Sequence, residues 1–189
     1  MSESIPKQMK ALRLLKVSPI LPRPPNSTNT LQFHENYKLL TDVPVPVPGK
    51  KEILVRLAAA GFCHTDHMVY EGAFKTKLPH TGSHEPTGTI AALGTDVSGD
   101  WKLGDRVGVY LFTNTCGHCA GCEWHKATFG VLNARYCANQ HMFGILGKDG
   151  GFAEYMITTD DAILKIPDAI AFDRKYNQGL FSWSVLGTC

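Results

Sequence analysis

Four cysteines have the spacing that most clearly predicts chemistry in this chain: Cys116, Cys119, Cys122 and Cys137. The first three follow the pattern C-x2-C-x2-C within a loop that contains glycine and histidine. Thiolates held this close repel one another and oxidise easily unless a cation binds them. Tetrahedral Zn²⁺ accepts four such ligands at about 2.3 Å, so the spacing predicts a structural zinc site.

Several other interpretations compete for these cysteines. An iron–sulfur loop of the C-x2-C-x2-C-x3-C-P type needs a fourth cysteine where this chain has Lys126. The zinc set could be completed by His125, which continues the spacing, or by Cys137 from a separate stretch. We rank Cys137 first, because a ligand from elsewhere closes a tetrahedron with less backbone strain. A disulfide scaffold needs an oxidising compartment and usually a smaller chain.

A second candidate site combines Cys63 with His84 and Glu85. One thiolate and one imidazole from different segments are two of the three protein ligands of an open zinc site. Zinc with an open position lowers the pKa of a bound water or alcohol. We expect Asp66 to accept the second ring N–H of His84, and Thr65 to carry a proton from the alcohol towards solvent. Taken singly, Cys63 and His84 would more often be ordinary core residues.

The remaining sequence predicts a mainly β protein with few short helices. Glycine and proline turn signals separate seven β-rich stretches, as in a β-barrel or sandwich. A short helix is expected near Thr65, capped by its hydroxyl, with Asp66 in the first turn. Residues 18–35 are rich in Pro, Ser, Thr and Asn and indicate an inserted surface loop. The predicted strands are 10–17, 37–43, 52–60, 87–93, 106–112, 151–158 and 162–166.

Composition excludes several function classes. The chain has 189 residues, 43% of them hydrophobic, which suffices for one globular domain or slightly more. Acids and bases are interspersed at a net charge of +2, so we predict no nucleic-acid partner. The apolar runs are too short for a membrane span, and the absence of a secretory signal favours the cytoplasm. No G-x-G-x-x-G occurs, so we expect no dinucleotide-binding Rossmann domain in this chain.

An ordered series of motifs runs from residue 9 to residue 172. Besides the cysteine loop, it includes Met9-Lys10-Ala11-Leu12, Cys63-His64-Thr65-Asp66, Gly82-Ser83-His84-Glu85, Gly104-Asp105-Arg106-Val107-Gly108 and Gly150-Gly151-Phe152-Ala153-Glu154-Tyr155. The series resembles the zinc-dependent alcohol dehydrogenases of the medium-chain dehydrogenase family. The resemblance implies a GroES-like catalytic domain over 1–172, which is a partly open β-barrel with a structural zinc lobe over 113–140. It also implies a catalytic zinc, a structural zinc, NAD(P) and a small alcohol or aldehyde as substrate.

The resemblance further implies roles for single residues. Cys63 and His84 become ligands of the catalytic zinc, and Glu85 becomes a carboxylate that can touch the metal. Thr65 becomes the first proton-relay residue, and His64 would face the cofactor pyrophosphate. The four clustered cysteines become the ligands of the structural zinc.

The chain departs from the family pattern inside the predicted domain. Met68 stands where the relay histidine is expected. Fourteen residues separate Cys122 from Cys137, seven more than in the family, so 126–132 look inserted. The family has one more cysteine ligand of the catalytic zinc, at a fixed interval after Ile166-Pro167-Asp168. In this chain that interval reaches Phe181, so the third protein ligand is unidentified.

The last residues also differ from the family. Residues 173–189 look like an atypical tail, and no cofactor domain follows them. We therefore expect a catalytic domain that ends before the cofactor domain, either through a real truncation or through a gene-model error. We expect this domain alone to have little or no turnover. The cofactor domain of the family would cover apolar surface on this domain. Leaving that surface uncovered favours homo-oligomers. The alternatives are a catalytically inactive zinc-binding β-domain and a zinc-free relative such as a quinone reductase.

Overall fold

A computed structural model describes residues 4–17 and 36–172 of the protein. These residues form eleven short strands, two α-helices and one 3-10 helix over Ala134–Tyr136. The proposed loop 18–35 and tail 173–189 lie outside the described residues. The elements are β1 (Gln8–Leu14), β2 (Tyr37–Pro44), β3 (Glu52–Ala60), α1 (His64–Tyr70), β4 (His80–Thr81), β5 (Pro86–Leu93), β6 (Arg106–Val109), β7 (Phe112–Thr113), α2 (Ala120–Phe129), β8 (His141–Phe143), β9 (Gly147–Lys148), β10 (Tyr155–Thr159) and β11 (Ile163–Lys165).

The strands form three sheets, with orders β2-β1-β4, β10-β3-β5-β6-β11 and β7-β8-β9. Every pairing is antiparallel except that of β8 with β9, and a short loop joins those two strands. Backbone hydrogen bonds from Leu12 to Phe152 (2.8 Å) and from Glu154 to Lys10 (3.1 Å) connect the first sheet to the segment before β10. This arrangement confirms the predicted fold class: it is mainly β, with open sheets and few short helices.

The core is built on both faces of β3. Ile53 and Val55 point to one side, where they pack with Val107 and Phe143. Leu54 points to the other side and joins a second cluster, as the two-residue period of a strand requires. Because both faces are covered, β3 is a rigid support for the segment that follows it, and that segment carries Cys63.

Three predicted strands differ from the observed ones. The stretch 10–17 is a strand only as far as Leu14. The stretch 106–112 is two strands, because β6 pairs with β11 in the five-stranded sheet, whereas Phe112 pairs with Met142 in the sheet β7-β8-β9. The stretch 151–158 becomes a strand only at Tyr155. Before that point, the N–H groups of Gly151 and Phe152 donate to the segment that precedes His84. The alternating hydrophobic pattern is the same across both breaks, so it does not reveal them.

The two α-helices are short, at 7 residues for α1 and 10 for α2. Neither they nor the 3-10 helix, within the part of the chain that the structure describes, are long and apolar enough to cross a bilayer.

Candidate metal centres

Cys63 occupies the junction between β3 and α1. It is the N-cap of α1, and its sulfur accepts the Thr65 N–H at 3.2 Å while its own N–H donates to the Asp66 carboxylate at 2.9 Å. The prediction that the Thr65 hydroxyl caps this helix is therefore wrong. The helix begins at His64, so Thr65 lies inside the first turn, where its backbone N–H needs an acceptor and Cys63 supplies one.

Asp66 links the two arms of this site. Its side chain is fully buried, and one oxygen accepts the Cys63 N–H while the other accepts the Ser83 N–H at 2.8 Å. The expected hydrogen bond from His84 to Asp66 is absent, and both Asp66 oxygens accept backbone N–H groups instead. Among the described residues, His84 Nδ1 has no hydrogen-bond partner, and Nε2 faces Cys63.

Close backbone packing holds the segment that leads to His84. Ser83 has a left-handed backbone with φ of 71°, and its hydroxyl donates to the Gly61 carbonyl at 2.8 Å. A Cβ at Gly150 would lie 2.0 Å from the Ser83 carbonyl oxygen, and one at Gly144 would lie 2.2 Å from it. Only glycine permits such an approach, so these two residues set the position of the histidine that follows.

The ligand atoms of Cys63, His84 and Glu85 converge. One such atom from each residue lies within 4.8 Å of the others. Cys63 Sγ is 3.5 Å from His84 Nε2, which in turn is 3.8 Å from Glu85 Oε1. Ligands around a tetrahedral zinc with bonds of 2.0–2.3 Å stand about 3.3–3.8 Å apart. The observed spacings therefore fit a zinc ion bound between the three side chains.

Electrostatics at this group favour a cation. Burial raises the pKa of the Cys63 thiol, although the N–H of Thr65 opposes the shift. Burial also raises the pKa of the Glu85 carboxyl, and His84 opposes that shift. A bound cation would stabilise the ionised forms of both acids, which burial alone disfavours.

The four clustered cysteines form a second group. Their sulfur atoms all lie within 4.8 Å of one another, and Cys122 and Cys137 are buried. Backbone N–H groups point at these sulfurs: Cys116 and Asn139 donate to Cys137, and Ala138 donates to Cys119, each at 3.3 Å. Such donors stabilise thiolates, which are the form that binds a metal.

The thiols of this group differ in acidity. Hydrogen bonding by the His118 backbone is the largest effect at Cys116 and lowers the pKa of that thiol to about 6. Burial is the largest effect at Cys122 and raises the pKa of that thiol to about 11. Some of these thiols therefore ionise readily, whereas others stay protonated at neutral pH. The charge of a zinc ion bound among the four sulfurs would stabilise all of them as thiolates.

Comparison with known proteins identifies the family. Residues 49–168 match the family model described as the alcohol dehydrogenase GroES-like domain. The chain belongs to this family. The resemblance and the GroES-like fold predicted above are thereby confirmed.

Individual relatives give the same assignment. An alcohol dehydrogenase of Geobacillus stearothermophilus is 37% identical over 134 residues, which cover 70% of this chain and 37% of the relative. The structure of a cobalt- and zinc-bound thermostable alcohol dehydrogenase from Pyrobaculum aerophilum is similar, with a TM-score of 0.66 and 26% sequence identity. The match covers 87% of this chain and 43% of the Pyrobaculum chain. Acetophenone reductase from Geotrichum candidum NBRC 4597, solved in complex with NAD, has a TM-score of 0.64 at 25% identity, covering 89% of this chain and 43% of its own. This chain thus spans about two fifths of the length of these relatives.

The structure describes residues 126–132, which are predicted above to be an insertion. They form the last turn of α2, a left-handed glycine at its end (Gly130, φ 77°), and the two residues after it. His125 is not among the residues whose ligand atoms converge with the sulfurs, and its Nδ1 lies 2.7 Å from the Val131 carbonyl oxygen. After α2 ends, the chain passes through the 3-10 helix and returns Cys137 to the other cysteines.

The other predicted site residues lie on α1. Thr65 is half-buried beside Cys63, whereas His64 is exposed and stacks on His67 with ring centres 5.8 Å apart. His67 in turn lies 3.3 Å from the Glu71 carboxylate. The roles of Gly150 and of the Ser83 backbone are not readable from the sequence, since the residues in contact are distant from one another along the chain.

Proposed function

We propose that this chain is the catalytic domain of a zinc-dependent alcohol dehydrogenase, which oxidises a small alcohol to an aldehyde or ketone with NAD(P)+. One observation carries the proposal: the Cys63, His84 and Glu85 ligand atoms meet within 4.8 Å, apart from the four-cysteine group. A mixed sulfur, nitrogen and oxygen set leaves room for a substrate, whereas a closed four-sulfur set does not. Membership of the alcohol dehydrogenase family supports the reaction class.

Each group of ligands holds one zinc ion in this proposal. Cys63, His84 and Glu85 hold the catalytic ion, and the four clustered cysteines hold the structural ion. The catalytic zinc supplies Lewis acidity, which lowers the pKa of an alcohol hydroxyl. The structural ion ties the start of α2 to the segment after the 3-10 helix, because Cys119 and Cys122 lie on one and Cys137 on the other.

The side chains around the first group would orient the reactants. Asp66 holds the backbones of Cys63 and Ser83, so the distance between the two ligand arms is set before substrate binds. Thr65 follows Cys63 by two residues, and its hydroxyl would take the alcohol proton and pass it towards solvent. His64 is exposed on the same helix and would face the phosphates of NAD(P).

Zinc analysis of the purified chain tests the proposal. We expect about two zinc ions per chain by elemental analysis. Cys63→Ala is expected to remove one ion, and Cys122→Ala the other. His118→Ala is the matched control, since this exposed imidazole belongs to neither group and should leave both ions bound. A zinc-free wild type, or a Cys63→Ala chain that keeps both ions, would contradict the proposal.

A turnover assay distinguishes the enzyme from an inert zinc-binding domain. Hydride transfer needs the nicotinamide in line with the carbinol carbon, and this chain contains no G-x-G-x-x-G to bind the pyrophosphate. We expect the 189-residue chain assayed alone with ethanol to reduce no measurable NAD+. The same residues joined to a cofactor domain of a family member should be active, and activity should be lost in the Cys63→Ala variant of that fusion.

A further inference from the structure

We propose that Asp149 is a positioning residue for His84, because it fixes the strand from which the Ser83–His84 segment continues. The inference rests on the proposed catalytic zinc site. Asp149 lies outside that site, and we assign it no contact with metal or substrate.

Asp149 contacts β4 and β1 together. Its Oδ1 accepts the Thr81 N–H at 2.8 Å and lies 3.5 Å from His80 Nδ1. Its Oδ2 lies 3.3 Å from Nη1 of Arg13 on the neighbouring strand β1. One carboxylate therefore holds both residues of β4 and the strand that pairs with it.

Arg13 completes this connection from the other side. Its second guanidinium nitrogen donates to the Pro79 carbonyl at 2.8 Å, immediately before β4, and Arg13 is the register partner of Thr81. The Arg13 side chain is 15% exposed and that of Asp149 is 50% exposed, so solvent screens this pair in part. Since β4 is only two residues long, ladder hydrogen bonds alone hold it weakly, and these side-chain bonds matter more.

The segment after Asp149 carries the constraint to the metal ligands. Gly150 donates to the Thr81 carbonyl at 2.8 Å, Gly151 to Ser83 at 2.9 Å and Phe152 to Gly82 at 3.1 Å. Asp149 is the first contact of this series, which runs directly alongside the residues that precede His84. Without the Asp149 carboxylate, the start of this series of hydrogen bonds is no longer held, and His84 loses its fixed position relative to Cys63.

Metal affinity of the full chain tests this role. Zinc is titrated against a competing chelator to obtain separate dissociation constants for the two sites. In Asp149→Ala we expect the site that Cys63→Ala abolishes to bind zinc about tenfold more weakly, the lower end for loss of an outer supporting partner. The four-cysteine site should keep its affinity and so reports whether the variant is folded. Asp100→Ala is the control, because this exposed carboxylate also pairs with a basic side chain, that of Lys102 at 3.7 Å.

Further readouts separate positioning from general stability. With Co²⁺ in place of zinc, the visible absorption of the Cys63 site should shift in Asp149→Ala, and Asp149→Glu should restore it in part. If Asp149→Ala loses both metals, Asp149→Asn replaces it in the same zinc titration. The asparagine amide oxygen can still accept the Thr81 N–H, but the negative charge that faces Arg13 is gone. Equal affinity and an unchanged cobalt spectrum in all Asp149 variants would overturn the inference and leave the proposed function intact. A wild type without metal at the Cys63 site would overturn both.

Discussion

Replacing Asp66 with alanine removes the carboxylate that joins the two arms of the Cys63 site. The substitution leaves the N–H groups of Cys63 and Ser83 without their acceptor, and a buried donor left unpaired costs about 1–3 kcal/mol. The Ser83 N–H is buried and should incur the full cost, whereas the Cys63 N–H is only partly buried. The alanine variant also no longer buries the Asp66 carboxylate, and this offsets part of the loss. We therefore expect the free energy of unfolding to fall by about 3 kcal/mol.

Thermal and urea unfolding of Asp66→Ala measure this effect. A loss of about 3 kcal/mol corresponds to a Tm lower by about 6–12 °C for a domain of this size. Asp66→Asn keeps one acceptor and should recover roughly half of the loss. Asp100→Ala is the control, because that side chain is 82% exposed and its removal should change stability by less than about 0.5 kcal/mol. An Asp66→Ala chain as stable as the control, with zinc still bound at Cys63, would refute the reasoning.

Three further predictions concern packing and pH. In Gly150→Ala the new Cβ would stand 2.0 Å from the Ser83 carbonyl oxygen, so we expect a loss of about 1–3 kcal/mol and weaker zinc binding at the Cys63 site. In Gly121→Ala the Cβ would stand 1.8 Å from the Tyr136 carbonyl oxygen, which should release zinc from the four-cysteine group instead. Burial lowers the pKa of His80 below its ordinary 6.5, so at low pH the unfolded chain binds a proton that the folded chain excludes. The free energy of unfolding should therefore fall between about pH 7.5 and about pH 5.5, and less so in His80→Leu.

A control of matched chemistry accompanies the glycine variants. Gly49→Ala should be nearly neutral, because its Cβ would meet only the Glu52 side chain, at 3.3 Å. Gly150 and Gly121 variants that lose the same zinc ion, or a His80→Leu chain with the pH dependence of the wild type, would contradict the respective predictions.

The sequence predicted which candidate ligand residues lie together better than the hydrogen bonds that support them. Cys116, Cys119 and Cys122 are close in sequence, and few structures other than a metal site justify such spacing. Cys63 and His84 were grouped from their residue types as candidate zinc ligands, and the family resemblance implied the same pair. The grouping of their ligand atoms depends on β3 and on the segment before β5, which only the tertiary structure brings together.

The supporting contacts were missed for physical reasons. Thr65 is a good helix N-cap by residue type, whereas a thiol is not, yet Cys63 caps α1 because tertiary contacts place its sulfur beside the first turn. Asp66 was expected to bond His84, but its oxygens accept the N–H groups of Cys63 and Ser83, and His84 Nδ1 has no partner among the described residues. The turn signals at 148–151 were recognised, but their packing partner lies 68 residues earlier in the chain, at Thr81. A local pattern contains no information about such a contact.

X-ray absorption at the zinc edge tests the central claim most directly, because it reports which atoms surround the metal. With both sites filled, one ion has four sulfur ligands and the other has a single sulfur with nitrogen and oxygen. The average is therefore about 2.5 sulfurs per zinc, with sulfur at about 2.3 Å and lighter ligands at about 2.0–2.2 Å. The Cys63→Ala chain should shift this average to about four sulfurs, as expected for the four-cysteine site alone. A spectrum with four sulfurs already in the wild type, or with no bound zinc, would contradict the account.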